Sequence, residues 1–362
     1  MKIGILTFHN AYNYGAILQA YATQELVKGL GHDIEIIDYH NNLIDSTYNS
    51  QKFRFLSFVK NIYRLPLYLL EKIFYRKRRE AYRRFISKYI KLSPFRYVQG
   101  KTSRIEGYDV ILIGSDQLWN IGITGGFDSF YWGDFECEQQ TRKIAWSICM
   151  NIDQCTSNEK DYIVSRLNNF SAISVREKSL QQFLKKLTTI EYPQTLDPTL
   201  LLNKQQWEVL CQPVKEKNYI VVYAVQDEDE TIDFARQIAK SMQKKIVIVR
   251  SYSKHYWSEE NKEHCGPDEF ISYIRYADFI VTTSFHGTVF SLIFHKQFIC
   301  PVFRCNTRIR SLLEIAGLGG RMIHRSDEFF NLHNIDYAKV DKLIESERNA
   351  AEKFLTKALN NL

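Results

Sequence analysis

Apolar runs of strand length alternate with segments of helix length along most of this chain. The first unit has a strand at 3–8, a helix at 14–30 and a strand at 34–39, with glycines at the end of the helix. A helical crossover of this kind joins parallel strands, and strands buried on both faces are apolar without interruption. The pattern therefore predicts a βαβ unit at the start of the chain.

The alternation continues in two series, separated by a polar stretch from Cys211 to Asn218 that contains Pro213. The first series has further strands at 109–113, 143–148 and 172–175 and a helix around 180–186. The second has strands at 219–224, 245–249, 278–283, 298–302 and 321–324, with helices at 231–242, 268–276, after 283, and at 308–316. We predict an α/β fold of two Rossmann-like, doubly wound domains facing each other across a cleft. They cover residues 1–212 and 213–336, followed by a C-terminal helix at 337–362.

A basic segment at about 53–92 interrupts the first series, and we interpret it as a helical insertion. Aromatic and aliphatic residues are interleaved with its charges, which are Lys72, Arg76, Lys77, Arg78, Arg79, Arg83 and Arg84. The segment could rest on anionic lipid headgroups or bind an acidic carrier. The alternative is a helix with a solvated basic face. No recognisable DNA- or RNA-binding module accompanies the charge, so we expect no nucleic acid partner.

Composition places the chain among ordinary globular proteins, at 45% hydrophobic and 25% charged residues with a modest net charge of +7. A length of 362 residues suits two domains. The apolar run at the start of the chain is too short for a signal peptide core, and no run approaches the length of a membrane span. Seven cysteines without a Cys-x-x-Cys pair indicate reduced thiols and a cytoplasmic location. The His and Cys spacing shows no metal-ligand pattern, so we predict no metal.

Four polar clusters follow predicted strands, at the sheet edge where open parallel sheets bind ligands. They are His9 to Gly15, Gly114 to Gln117, Arg176, and Ser284 to Gly287. Taken singly each has a structural alternative, because Asn13 could form a turn, Asp116 could cap a helix and Arg176 could pair with an acid. Their common position favours function.

His286 lies where a buried strand gives way to a helix. Ser284 can cap that helix, Gly287 would let a ligand approach the backbone, and the helix dipole favours an anion and disfavours imidazolium. A neutral His286 could then accept a proton. The alternative is a histidine packed at a strand end and hydrogen-bonded to the main chain.

Two further polar segments give weaker indications of function. We interpret Asp197-Pro198-Thr199 as a structural turn. A second basic loop lies beyond Pro301 and could contact a ligand or be solvated; its polar residues are Arg304, Asn306, Arg308 and Arg310.

Five stretches together resemble the polysaccharide pyruvyl transferase family: Thr7 to Tyr21, Gly114 to Asn120, Ser174 to Glu177, Asp197 to Thr199, and Thr283 to Gly287. The resemblance implies a glycosyltransferase B-type arrangement of two Rossmann-like domains. It also implies phosphoenolpyruvate as donor and a sugar diol as acceptor, in a cell-surface polysaccharide or its lipid-linked precursor. The products are a pyruvate ketal and phosphate, and no cofactor is expected.

The resemblance implies roles for three catalytic residues. Arg176 would bind the anionic groups of the donor, His286 would act as general acid and base, and Asp116 would bind or deprotonate the sugar hydroxyls. The expected substrate-binding residues are Asn13, Tyr14, Gly15, Ser115, Ser284, Gly287, Asn306 and Arg308.

Ser284 departs from some family members, which have arginine two residues before the histidine. A hydroxyl cannot replace that charge, so Arg308 supplies it, the donor binds differently, or the chemistry has changed.

Two other functions suit the same scaffold, since a fold does not determine a reaction. One is a glycosyltransferase that uses a nucleotide sugar, and the other is a noncatalytic carbohydrate-binding or assembly protein. A lipid-linked acceptor would place the chain at the inner face of the membrane, where the basic segment could make peripheral contact.

Overall fold

Six parallel strands form the sheet of the first domain in a computed structural model that describes residues 1–49, 65–152, 155–225, 227–250, 261–262, 264–304 and 306–360. The strands are β1 (Lys2–Leu6), β2 (Asp33–His40), β3 (Leu92–Val98), β4 (Val110–Asp116), β5 (Arg142–Ile148) and β6 (Ala172–Val175). Their spatial order is β3-β2-β1-β4-β5-β6, the order found in dinucleotide-binding folds. The central strands are apolar because helices cover both faces of the sheet.

The helices of the first domain are α1 (Tyr14–Gly29), α2 (Asn42–Asn49), α3 (Leu65–Tyr89), α4 (Ile121–Thr124), α5 (Ser157–Leu167), α6 (Lys178–Thr188) and α7 (Lys204–Glu208), with a 3₁₀ turn at Pro198–Leu200. Helix α1 is buried almost all round. One of its faces packs on the sheet and another meets the second domain. A helix in that position needs apolar or small residues on every side, which explains its sequence.

The second domain repeats the plan of the first. Its strands are β7 (Tyr219–Tyr223), β8 (Lys245–Val249), β9 (Asn261–Lys262), β10 (Phe279–Thr282), β11 (Gln297–Pro301) and β12 (Met322–Ile323), in the order β12-β11-β10-β7-β8-β9. Its helices are α8 (Glu228–Met242), α9 (Pro267–Tyr276), α10 (Phe285–Ile293) and α11 (Thr307–Ile315), with 3₁₀ turns at Gly319–Arg321 and Ser326–Asn331. The carboxyl edge of this sheet therefore carries the β10–α10 junction.

Aromatic side chains pack the two domains together. The Tyr14 ring of α1 stacks on Phe270 of α9, with centroids 4.5 Å apart, and on Tyr82 of α3 at 5.5 Å. The Tyr14 hydroxyl donates to the carbonyl oxygens of Arg250 and Cys265 at 3.2 and 3.1 Å. Buried aromatic pairs with satisfied polar groups stabilise an interface well beyond their buried area. One apolar core cluster therefore contains residues of both domains.

Helix α12 (Tyr337–Asn360) joins the domains a second time. At its start, the Tyr337 hydroxyl donates to the carbonyl oxygen of Ser291 in the second domain at 3.2 Å. Near its end, Phe354 stacks on Trp146 of β5 with centroids 5.9 Å apart, and Arg142 donates to the carbonyl oxygen of Ala358 at 2.8 Å. The helix begins on one domain and ends on the other.

The architecture confirms the predicted fold of two Rossmann-like domains across a cleft. The boundary predicted at residue 212 lies between α7 and β7, where the chain passes from one sheet to the other. Sequence analysis missed β3, which has Pro94 and exposed polar positions, as edge strands often do. It also missed the helices α2, α4, α5 and α7 and the two-residue β9.

The basic segment is a crossover rather than an insertion in its described part, because α3 connects β2 to β3, which are paired in parallel. Residues 53–64 of the segment lie outside the described residues. Arg78 is buried and donates to the carbonyl oxygen of Tyr12 at 2.8 Å, so it does not belong to the basic surface. Where the structure describes side chains of α3, the exposed basic residues are Arg76, Lys77, Arg83, Arg84 and Lys88.

None of the described helices combines the length and apolarity needed to cross a bilayer. The six cysteines within the described ranges are free thiols.

Candidate functional site

A cavity of about 260 Å³ lies between the two domains, where the carboxyl edges of their sheets meet. Its polar lining comes from the loops after β1, β4, β10 and β11, and consists of Asn13, Asp116, Gln117, Thr283, Ser284, His286, Asn306 and Arg308. Its apolar lining includes Phe8, Ala11, Ile44, Ile123, Tyr223, Val225 and Phe285. Both domains contribute, as expected for a ligand site in facing α/β sheets.

Three helix N-termini open onto this cavity. The Asn13 side chain accepts from the Ala16 amide of α1 at 3.3 Å, and Ser284 accepts from the Gly287 amide of α10 at 3.4 Å. The Asn306 side chain accepts from the Ile309 amide of α11 at 3.2 Å. Each helix directs the positive end of its dipole toward its capping residue, and all three capping residues line the cavity. The lining therefore favours an anionic ligand.

Arg308 adds a formal positive charge to the same wall. In the amide orientation that satisfies its neighbours, the Gln117 side-chain oxygen accepts from Arg308 Nη1 at 2.8 Å. The two side chains come from different domains, so this hydrogen bond crosses the cleft. Arg308 and Ser284 line the same cavity.

His286 and Arg176 meet at one carboxylate, that of Asp197. Arg176 Nη1 donates to Asp197 Oδ2, and His286 Nε2 lies 3.6 Å from the same oxygen. The Asp197 side chain is fully buried and also accepts from the Thr199 amide at 3.0 Å. The imidazole comes from the second domain and the carboxylate and guanidinium from the first. The domain interface therefore assembles a buried His–Asp–Arg group.

Asp197 is ionised in this group. Burial disfavours the charged carboxylate, but the Arg176 guanidinium, the contact with His286 and the hydrogen bond from Thr199 outweigh burial and hold the pKa of Asp197 well below its ordinary value. A buried carboxylate beside an imidazole stabilises the imidazolium when the ring gains a proton. The Asp197 carboxylate therefore lies in position to interact with the His286 ring.

Arg176 is held behind the cavity instead of lining it. Its Nε donates to the Cys149 sulfur at 3.1 Å, and the Cys149 thiol donates to Glu177 Oε1 at 2.7 Å. Burial raises the pKa of Cys149, which keeps the group a thiol. Arg176 Nη2 lies 3.6 Å from Asp116 Oδ1 and has no hydrogen-bond partner among the described residues. Arg176 thus links Asp197 to Asp116.

Asp116 lines the cavity at the end of β4 and has a positive φ of 76°. A non-glycine residue in this region is strained, and such residues often occur at functional sites. The conformation is stabilised by its surroundings, because the carbonyl of Asp116 accepts from the Cys149 amide at 3.1 Å.

Two glycines serve packing in the site. A Cβ at Gly15 would lie 2.0 Å from His286 Nδ1, so the imidazole occupies the space of the missing side chain. A Cβ at Gly287 would lie 2.2 Å from Thr282 Oγ1, so this glycine lets α10 approach β10. The space in which a ligand was predicted to approach Gly287 is therefore filled by Thr282 of the protein's own strand β10.

The structure brings six predicted site residues to the cavity surface: Asn13, Asp116, Ser284, His286, Asn306 and Arg308. Tyr14 and Ser115 do not reach it, because Tyr14 is buried among aromatic rings and Ser115 donates to the carbonyl oxygen of Ser147 at 2.8 Å. Gly15, Gly287 and Arg176 support its walls from behind.

Sequence analysis missed Asp197 and Gln117. Asp197 was interpreted as part of a structural turn, and it does form one, since it caps the 3₁₀ turn that follows. Its second role is visible only when Arg176 and His286 surround it. The available signal was the presence of Asp197 and Gln117 in two of the five family-like stretches.

Comparison with known proteins supports both the fold and a family. A family model described as polysaccharide pyruvyl transferase matches residues 13–300. No curated protein matches the chain. A solved structure from Listeria monocytogenes, described as a UDP-N-acetylglucosamine 2-epimerase, has 10% identity and a TM-score of 0.53 over 100% of this chain and 97% of that chain.

The UDP-GlcNAc 2-epimerase of Methanocaldococcus jannaschii, solved with UDP-GlcNAc and UDP, has 11% identity over 99% of each chain and a TM-score of 0.49. At identities this low, the Listeria structure shows similarity of fold alone.

Proposed function

The chain belongs to the polysaccharide pyruvyl transferase family, and we propose that it transfers the pyruvyl group of phosphoenolpyruvate to two hydroxyls of one sugar. The products are a pyruvate ketal and inorganic phosphate. The observation that carries this proposal is the convergence of an anion-favouring wall with a buried His–Asp–Arg group in one interdomain cavity.

The donor has a phosphate and a carboxylate, and the cavity offers matching groups. Arg308 and the N-termini of α1, α10 and α11 provide positive charge and amide donors. Arg176 was expected to bind these anions. Because it already pairs with Asp197 and faces Asp116, we assign it instead to positioning those two carboxylates.

The reaction needs a proton donor and a proton acceptor. Protonation of the donor's methylene carbon creates a methyl group and an electrophilic carbon beside it. One sugar hydroxyl adds there, the carbon–oxygen bond to phosphate breaks, and the second hydroxyl adds. Of the two hydroxyl protons, one balances the new methyl group and the other leaves with phosphate as its conjugate acid. We assign the proton donor to His286, with Asp197 stabilising its imidazolium form.

The acceptor would bind on the Asp116 side of the cavity. A carboxylate accepts hydrogen bonds from vicinal or 1,3-related hydroxyls, and Asp116 is the acidic residue among the lining residues. Asp116 can thus orient the diol and accept a proton from it. A lipid-linked acceptor would be presented at a membrane surface, where the exposed basic side of α3 offers a contact.

Product analysis tests the proposal directly. The protein is incubated with phosphoenolpyruvate and a panel of galactosides and other sugars that contain a free diol. We expect phosphate release that depends on the sugar, and a product heavier than the acceptor by pyruvate minus water. Phosphate release without a ketal product would contradict the proposal.

Calorimetry separates the proposal from a nucleotide-sugar glycosyltransferase on the same scaffold. We expect phosphoenolpyruvate to bind and UDP-sugars not to compete with it. Binding of nucleotide sugars alone would replace the proposal with that second function.

A further inference from the structure

A second group of histidine and aspartate lies at the carboxyl edge of the first sheet, apart from the cavity lining. His9 follows β1, and Asp38 and His40 are at the end of β2. The two imidazole Nε2 atoms both lie 2.9 Å from Asp38 Oδ1. The group is largely buried, with side-chain exposures of 2% for His9, 13% for Asp38 and 15% for His40.

The outer nitrogens of both rings already have acceptors. His9 Nδ1 lies 3.3 Å from the carbonyl oxygen of Thr7, and His40 Nδ1 lies 2.7 Å from Asp45 Oδ2. Asn10 Nδ2 is 3.1 Å from the same His40 nitrogen, but it donates to the other oxygen of Asp45 at 2.6 Å. A carbonyl or carboxylate oxygen can accept from an imidazole N–H, so each Nδ1 faces an acceptor.

At the centre of the group, two imidazole nitrogens face one carboxylate oxygen. These three atoms can be joined by Nε2–H···Oδ1 hydrogen bonds or, when the nitrogens are deprotonated, by one divalent cation. The pattern of outer hydrogen bonds is the one that orients histidine ligands in metal sites, where the nitrogen opposite the metal donates to a carboxylate or carbonyl.

We propose that His9 Nε2, Asp38 Oδ1 and His40 Nε2 bind one divalent transition metal ion of the zinc class. The three ligand atoms all lie within 4.8 Å of one another, and the rings of His9 and His40 are nearly perpendicular at 89°. Two imidazoles and one carboxylate form a ligand set that suits zinc and leaves a position for water.

Binding of the ion requires the three ligand side chains to move only slightly apart. At zinc bond lengths of about 2.0–2.2 Å, two ligands of a tetrahedral ion lie about 3.3 Å apart. The present distances of 2.9 Å must therefore widen by a few tenths of an ångström. Arg96 Nε donates to the other Asp38 oxygen at 3.1 Å, which leaves Oδ1 for the ion and fixes the carboxylate.

The ion would brace the loop that forms one wall of the cavity. His9 belongs to the β1–α1 loop, and the same loop supplies Ala11 and Asn13 to the cavity lining. A bond from His9 to Asp38 and His40 through the metal would tie that loop to β2. The existence of the site does not depend on the proposed reaction.

Metal retention tests the site without any assay of activity. Full-length protein is stripped with a chelator, desalted, mixed with Zn²⁺ or Co²⁺ alone, and desalted again. We expect about one equivalent of metal to remain, a higher melting temperature, and visible absorption from bound Co²⁺. Stripped protein that retains neither ion and melts at an unchanged temperature overturns the proposal, and leaves hydrogen bonds alone between the three side chains.

Substitutions locate the site. His9→Gln and His40→Gln each remove one ligand, and we expect them to abolish retention of metal after desalting. His295→Gln is the matched control, because His295 also pairs with an aspartate, Asp341, at 3.0 Å, but at the surface of the second domain. Equal retention by wild type, His9→Gln and His40→Gln overturns the proposal.

Arg96→Gln tests the metal site if His9→Gln and His40→Gln do not fold. The Arg96 side chain is 66% exposed and the substitution keeps all three ligands. We expect a folded protein whose affinity for Zn²⁺ is lower by about 10-fold, as for other outer partners of metal ligands. An unchanged affinity places the ion elsewhere and contradicts the assignment.

Discussion

The two histidine–aspartate groups of this protein differ in how completely their polar atoms are paired. In the His9 group, both nitrogens of each ring have a partner, and every member belongs to the first domain. In the His286 group, His286 Nε2 and Arg176 Nη2 have no hydrogen-bond partner among the described residues, and the two domains share the group.

This difference in pairing distinguishes a group that holds the chain in place from a reactive site. Buried polar groups are nearly always paired, so an unpaired nitrogen beside a cavity indicates a place where a ligand or a reacting atom completes the pairing. Full pairing by the protein itself indicates a group that holds the chain in place. The following predictions test that contrast, from the largest expected effect to the smallest.

His286→Gln should lower turnover by about 1,000-fold, because general acid–base catalysis contributes about 10²–10⁴. Glutamine is polar and similar in size, so the melting temperature should change little. Phosphate release measured at saturating phosphoenolpyruvate checks the effect. His324→Gln, at an exposed histidine, is the control and should behave like wild type. Unchanged turnover in His286→Gln would show that His286 is not the proton donor.

Asp197→Asn should destabilise the fold by about 3–5 kcal/mol, since it leaves the buried Arg176 without its counter-ion. Because the folded pKa of Asp197 is lowered, its carboxylate stabilises the protein above pH of about 4, and this contribution declines as the pH falls below that value. Denaturant unfolding between neutral and acidic pH measures the effect. A difference from wild type that stays constant with pH would argue against an ionised Asp197.

Gly15→Ala should reduce turnover by about 100-fold through His286. The new methyl group would overlap the imidazole and displace it, and a shift of about 1 Å at a catalytic group can cost that much. Gly29→Ala in the same helix is the matched control, because a Cβ there meets no atom within 4 Å. Equal kinetics for the two variants would show that the imidazole position is unimportant.

Arg308→Gln should raise the KM for phosphoenolpyruvate by about 10- to 100-fold with a smaller effect on kcat, since a hydrogen bond to a charged group is worth about 1.5–3 kcal/mol. Arg310→Gln in the same helix is the control, because Arg310 is exposed and does not line the cavity. A larger increase in this KM for Arg310→Gln than for Arg308→Gln would indicate that the donor binds near Arg310 instead.

Arg84→Gln should weaken binding to anionic vesicles by about fivefold, since a basic residue near such a surface contributes about 1 kcal/mol. Sedimentation at low and high salt measures the binding, which should be salt-sensitive. Lys240→Gln, an exposed charge on α8, is the control. No association at low salt would remove the membrane contact for α3.

The strand–helix alternation was sufficient to predict most of the fold. Strands such as β5 and β10 are short apolar runs buried on both faces, and helices such as α1 begin at a capping side chain. The edge strand β3 could not be found in this way, because Pro94 and polar neighbours give an exposed edge no apolar pattern.

The candidate site was predictable only in part. Asp116, Ser284 and His286 lie at strand ends, and parallel sheets bring strand ends together. Tyr14 belongs to the same loop and helix start as Asn13, yet its ring points into the aromatic domain interface. Which side chain of such a segment faces the cavity depends on the helix rotation and on what packs behind it.

By itself, the sequence determined the two Rossmann-like domains, their parallel strands and the loops that carry polar residues, because these follow from local hydrophobic periodicity. Only the tertiary structure determined which of these side chains contact one another. Asp197 lies between Arg176 and His286, and His9 lies beside Asp38 and His40, only because separate segments meet when the sheets form and the domains pack. Contacts of this kind depend on distances in space that no local pattern encodes.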